Sequence, residues 1–248
     1  MGLKESGLRG SLRNVSVGIA AIPDTEMFDS PILQFWSGNG IGVSDGEFVN
    51  QWDDSLDDLT ASAETTDDNI LREDKSGEPA VEIGDDGGFN FTPTDFPSGN
   101  EPFSVAVLIW MDAVEDNQTI AQQGADNPDE LWSFRVRDGN LQSFIFGDSA
   151  QEGSTTVPTG QFITAGFVYD PDKTEYSNDE ILLLNGSVDA SRDTSQNPNI
   201  DDNNHSFGWG QARDDPALKD GFVVETLYSN APESEQAFSD YHEDRIGD

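Results

Sequence analysis

The chain has 248 residues, with 49 Asp and Glu against 12 Lys and Arg, a formal net charge of −37, and no cysteine. These numbers exclude a disulfide framework, a thiol nucleophile and a cysteine-held metal. They also leave no cluster of cations for phosphate, so nucleic acid is not an expected partner. Acidic disordered chains are poor in aromatic residues, whereas this one is 10% aromatic with five Trp and fifteen Phe, and it is expected to fold.

The acids are spread from Asp24 to Asp248 instead of forming a tail, and only Lys4, Lys75, Lys173 and Lys219 are lysines. Such a surface repels itself in dilute buffer. At about 1 M salt the Debye length falls to roughly 3 Å and the repulsion is screened. No apolar run approaches the roughly 18 residues of a membrane span, so no membrane partner is expected. The polar opening MGLKESGLRGSLRN does not read as a secretion signal.

Residues 1–23 stand apart. Lys4, Arg9 and Arg13 face only Glu5, a local charge of +2 attached to a remainder of −39. With Leu3, Leu8, Leu12, Val15 and Val17 scattered among Gly and Ser, the stretch cannot bury a core alone. It reads either as a mobile terminus or as an arm that orders on another subunit, with Lys4, Leu8, Arg9, Leu12 and Arg13 as its contacts. Residues 24–248 form the expected domain.

That domain begins with the strand Pro31 to Trp36 and a glycine-rich loop, followed by Glu47 to Trp52 and the acidic loop Asp53, Asp54, Asp57 and Asp58. Ala80 to Gly84 and Phe89 to Thr92 are short strands around Asp85-Asp-Gly-Gly88. Phe103 to Asp112, FSVAVLIWMD, is apolar on both parities and predicts a central strand covered on both faces. Trp132 to Asp138 alternates strictly and turns at Gly139-Asn140 into Leu141 to Phe146, a hairpin. Gln161 to Tyr169 is a long strand. Ile181 to Leu184 turns at Asn185-Gly186, and Ser191 to Asn204 reads as an exposed loop. His205 to Gly210 and Gly221 to Tyr228 are the last strands, and Pro232 to Ile246 shifts to helical spacing. About a dozen strands and one helix predict an all-β sandwich.

The order of elements resembles the concanavalin A-like jelly rolls and, within them, the laminin-G-like domains. The likeness rests on Trp52 with Leu59, Gly88-Phe89, Pro102 to Trp110, Trp132 to Leu141, Phe162 to Tyr169, Ile181 to Gly186 and Glu225 to Ser229 before the helix, and it spans residues 31–246. The implied fold is a jelly-roll β-sandwich with one short C-terminal helix and an extended N-terminal arm. The opening MGLKESGLRGSLRNVSVGIAAIPD looks like the start of virion proteins from tailed viruses of salt-loving archaea. Together these resemblances imply a non-enzymatic protein of a virion surface, a capsid turret or decoration or a tail-associated subunit. It would meet a host glycan or glycoprotein and join further copies or other virion proteins through the arm. A purely architectural subunit and a glycoside hydrolase on the same fold are the alternatives.

Glucanases on this fold carry acids at alternate strand positions, so that two face one cleft. Glu82-Ile-Gly-Asp85 has the wrong parity and Asp129-Glu130 point apart, so no catalytic residue is assigned. His205 and His242 are the only histidines, and no nucleophile elbow accompanies them. The resemblance implies calcium as a possible cofactor at the sandwich rim, with Asp201 and Asp202 opposite Asp112 and Asp116 as candidate ligands. Carbohydrate would be met by Trp209, Tyr176 and His205, although Trp209 between two glycines better suits a core position.

Overall fold

The computed structural model describes residues 27–247, except 57–58, 94–95, 115–116, 196–197, 201–204 and 211–215 and the side chain of Glu73. The expected arm, with Lys4, Leu8, Arg9, Leu12 and Arg13, lies outside the described residues, as do Asp116, Asp201 and Asp202.

Two antiparallel eight-stranded sheets form a jelly-roll sandwich. The first contains β1 (Pro31–Trp36), β4 (Asn69–Lys75), β5 (Glu78–Ile83), β7 (Phe103–Met111), β12 (Phe162–Tyr169), β13 (Glu180–Leu184), β14 (Ser187–Arg192) and β16 (Gly221–Ser229). Its order is β14-β13-β12-β7-β16-β5-β4, with β1 added along the second half of β16. The second contains β2 (Gln51–Asp53), β3 (Thr60–Ala63), β6 (Phe89–Phe91), β8 (Gln118–Gly124), β9 (Leu131–Arg137), β10 (Asn140–Ile145), β11 (Gln151–Thr156) and β15 (His205–Phe207), in the order β11-β10-β9-β8-β15-β6-β3-β2.

The strand β7 behaves as its composition predicts. Phe103, Val105, Val107, Ile109 and Met111 enter the core between the sheets. Ala106 and Leu108, on the opposite parity, enter two separate clusters on the outer face. From the second sheet Trp132, Phe134 and Val136 fill the same core, and Phe89 stacks on Phe207 with ring centres 5.2 Å apart. The β9–β10 hairpin turns one residue earlier than the sequence suggests. Asp138 and Gly139 carry the positive φ angles, 50° and 88°, as a two-residue type I′ turn requires.

The helix α1 (Glu235–Ile246) is capped by Ser234, whose hydroxyl accepts the Ala237 N–H at 3.2 Å, with Glu235 in the first turn and Arg245 in the last. That charge placement complements the helix dipole. Phe238 and Tyr241 pack with Phe28 against the outer face of the first sheet. The close approach depends on Gly166 of β12, where a Cβ would overlap the Phe238 ring. Gly166→Ala is therefore expected to destabilise the fold by about 1–3 kcal/mol through overpacking. Urea unfolding checks this, and a midpoint equal to that of the unchanged protein would refute it.

Candidate functional site

Connections that cross between the sheets gather at one end of the sandwich. Residues 64–68 join β3 to β4, residues 84–88 join β5 to β6, and residues 208–220 join β15 to β16. The β7–β8 connection starts at the same end, where the Asp112 N–H donates to the Asp220 carbonyl at 2.9 Å. A cavity of about 270 Å³ opens among them, lined by Glu64, Thr65, Asp85, Asp86, Trp209, Pro216 and Ala217.

Trp209 reaches this cavity from the core. It belongs to the main hydrophobic cluster and is only 9% exposed, the core position that its setting between two glycines also suits. Its indole Nε1–H donates to Asn90 Oδ1 at 2.9 Å, and Asn90 Nδ2 donates to Glu64 Oε2 at 2.6 Å. One amide thus fixes both the indole and a rim carboxylate. The 84–88 turn is held from below by buried Asn69, whose Oδ1 accepts the Gly88 N–H at 2.8 Å and whose Nδ2 donates to the Gly88 carbonyl at 3.2 Å. Asp68 accepts the Asp86 N–H at 2.7 Å, and Lys219 pairs with Asp85 at 3.1 Å. The arrangement places the Trp209 indole beside hydrogen-bond acceptors in one small recess.

The other two carbohydrate candidates lie elsewhere. His205 begins β15 and is buried between Phe91 and Phe96, with ring centres at 5.3 and 4.5 Å. Tyr176 is half-buried in the β12–β13 connection and donates its hydroxyl to the Glu233 carbonyl at 3.0 Å. Burial raises its pKa, and Glu235, Glu175, Asp170 and Glu233 add to the effect. Its neighbour Asp170 is buried and accepts the backbone N–H groups of Thr174, Glu175 and Tyr176, which shapes that loop. Tyr169, at the start of the loop, pairs with Phe103 at the opposite end of β7 from Met111. Tyr176 and Trp209 therefore do not share a surface.

Asp112 sits on the Trp209 end with its carboxylate already engaged. The Trp110 indole N–H donates to it at 2.6 Å and Lys75 Nζ approaches both oxygens at 3.1 Å. The indole bond and, against the opposing effect of burial, the lysine hold its carboxyl below the ordinary value. Ile200, next to Asp201, exchanges hydrogen bonds with Gly99 just before β7 begins, at the other end from Asp112. Among the described residues no group of three or more His, Asp or Glu is gathered as around a metal ion.

A second polar cluster lies where the sheet edges meet. Glu180 of β13 is fully buried and takes both oxygens to Arg192 of β14 at 3.0 Å, while Ser143 of β10 donates to it at 3.4 Å. Asp148, in the β10–β11 turn, lies 3.6 Å from Arg192. Burial pushes the Glu180 carboxyl up to about 7 against the pull of Arg192, with Asp179 and Asp148 adding to the rise. Burial opposes ionisation of Asp148 too, but donors from Ser195, Ser149 and Thr194 leave its pKa well lowered.

The raised Glu180 value means that the folded state holds this proton more tightly than the unfolded chain. Its stabilisation is full below the unfolded value near 4.5 and is lost as pH rises through about 7. The shift corresponds to something on the order of 3 kcal/mol. Glu180→Gln is expected to remove most of the decline in stability between pH 5 and 8, as read from urea midpoints across that range. An unchanged slope in the variant would refute the assignment.

Domain 4 of AbnA, a GH43 extracellular arabinanase from Geobacillus stearothermophilus in complex with arabinotriose, is similar over 85% of this chain and 98% of its own, with 16% identity and a TM-score of 0.63. Trypanosoma rangeli sialidase in complex with sialic acid is similar over 88% of this chain, with 10% identity and a TM-score of 0.58. This chain spans only about a third (34%) of the sialidase's length. A botulinum neurotoxin type C structure, whose cell entry is described as dependent on interaction with two ganglioside molecules, aligns with 88% of this chain and 51% of its own at 13% identity and a TM-score of 0.60. The shared feature is the β-sandwich fold. No protein-family model and no curated protein sequence matches the chain.

The sequence reading singled out Trp209 but missed Glu64, Asp85, Asp86 and Asn90. The available signal was the pair of glycine clusters, Gly84 to Gly88 and Gly208 to Gly210. A Cβ on Gly88 would lie 2.6 Å from Trp209 Cδ1 and 3.0 Å from Gly208 C.

Proposed function

We propose that the chain is a non-enzymatic glycan-binding protein of a virion surface, which meets a host glycan or glycoprotein through the cavity beside Trp209. The observation that carries the reading is the cavity itself: an indole, a threonine and three carboxylates around a recess of about 270 Å³. Pockets for drug-sized ligands begin near 300 Å³, so this recess suits one sugar ring. Apolar ring faces with a few placed polar groups are what a saccharide requires. Support also comes from the structures alike in fold, one holding arabinotriose and one sialic acid.

Two further points favour binding over hydrolysis. A glycosidase holds one carboxyl protonated beside the scissile bond by raising its pKa. Among the described residues the carboxyls with raised values, Asp179 and Glu180, do not line the cavity. Glu180 is instead committed to Arg192.

The virion placement rests on the sequence, namely the acidic surface suited to molar salt and the opening stretch, with residues 1–23 as the arm to further copies or other virion proteins. Light scattering in molar salt tests the arm: the full chain should form a closed oligomer and the chain lacking residues 1–23 a monomer. Two folded monomers would contradict it. Retention of the full chain on immobilised host glycans, without hydrolysis, tests the binding. Failure to bind any of them would leave the purely architectural role in its place.

A further inference from the structure

We propose that the Trp209 cavity selects uncharged sugar rings and rejects acidic ones such as sialic acid. This rests on reading the cavity as the sugar site and concerns which sugars enter it. Glu64, Asp85 and Asp86 contribute three carboxylates to the lining, and Lys219, paired with Asp85 at 3.1 Å, offsets one of them.

Neutral sugars present hydroxyl donors on adjacent carbons, and ionised carboxylates are their strongest acceptors. Asn90 has already oriented one such acceptor, Glu64, through its amide. An acidic sugar would bring its own carboxylate into contact with this set. Molar salt screens charges beyond roughly 3 Å, so the rejection acts where the sugar carboxylate comes into direct contact with these side chains. A site for sialic acid would require cationic donors such as a guanidinium fork. The described residues lining the cavity supply none.

The test is titration of the full chain in molar salt with arabinotriose and with sialyllactose, followed by tryptophan fluorescence. Arabinotriose should bind about tenfold more tightly or better. The double variant Glu64→Gln, Asp86→Asn, at two exposed side chains, should narrow that ratio to about threefold or less by admitting the acidic sugar. Equal or tighter binding of sialyllactose, still sensitive to Trp209→Phe, would overturn the selectivity while leaving the site in place. Binding of both sugars insensitive to Trp209→Phe and to the double variant, or no binding of either, would overturn the site and the selectivity together.

Discussion

Replacing Arg245 by Met is expected to lower the unfolding free energy by about 3–5 kcal/mol, the usual effect of stranding one half of a buried ion pair. Glu225 lies on β16 beneath α1 and has no exposed surface. Arg245 donates to it through Nε at 2.6 Å and Nη2 at 3.1 Å. Tyr241 donates its hydroxyl at 3.1 Å and Gln34 of β1 its amide at 2.5 Å. Four donors from two elements, α1 and β1, converge on one carboxylate of β16, so the last turn of α1 is tied to both β16 and β1. Burial, and after it Glu225, raise the Tyr241 pKa well above its ordinary value, which keeps the phenol a donor. Without Arg245 the carboxylate would be left with neutral donors in a desolvated site.

Urea unfolding in molar salt reads the loss. A midpoint within error of the unchanged protein would show that Glu225 is not buried as described. The double replacement Glu225→Gln, Arg245→Met should recover most of the loss, because removing both charges also removes the desolvation penalty. A double variant no more stable than Arg245→Met alone would place the effect in packing of the Arg245 stem instead.

Gly88→Ala is expected to destabilise the protein by about 2–4 kcal/mol, combining strain at a glycine-only backbone conformation with overpacking. The residue sits at φ +117°, with its N–H and carbonyl both held by Asn69. A Cβ there would lie 2.6 Å from Trp209 Cδ1 and 3.0 Å from the Phe207 carbonyl. Neither neighbour can yield easily, since Phe207 is stacked on Phe89 and the Trp209 indole is tied to Asn90. The substitution should therefore move Trp209 as well as lower the unfolding midpoint, and weaken sugar binding with it. A variant that keeps full stability would show that the turn tolerates a side chain, and the close packing behind Trp209 would then not hold.

The β-branched and aromatic strands were legible because their side chains declare a pleated, buried environment. Pro31–Trp36 is a strand over the span that its sequence suggests, Phe103–Met111 is buried on both parities, and Asn185-Gly186 turns as expected, with φ angles of 49° and 76°. Five strands were not legible: Thr60–Ala63, Asn69–Lys75, Gln118–Gly124, Gln151–Thr156 and Ser187–Arg192. QTIAQQG illustrates why. Every residue of that strand is buried, yet its glutamines are accommodated by specific partners, Gln123 donating to the Pro97 carbonyl and accepting from the Trp132 indole. Polarity alone signals a loop, and only tertiary pairing reveals a buried strand.

The candidate site was half legible for a related reason. Trp209 between two glycines was conspicuous, but Glu64 and Asp86 resemble dozens of hydrated surface acids. What distinguishes them is the crossing of the chain between sheets at residues 64–68, 84–88 and 208–220. Such crossings bring together residues about 20 to 150 positions apart through long-range pairing, which no local pattern encodes.

The most direct measurement of the central claim is the set of five indole N–H resonances, from Trp36, Trp52, Trp110, Trp132 and Trp209, followed by NMR as arabinotriose is added to the full chain in molar salt. The account predicts that the Trp209 resonance moves in a saturable way while those of Trp36, Trp52, Trp110 and Trp132 stay in place. Movement of the Trp110 resonance with Trp209 unchanged, or no movement at all, would contradict it.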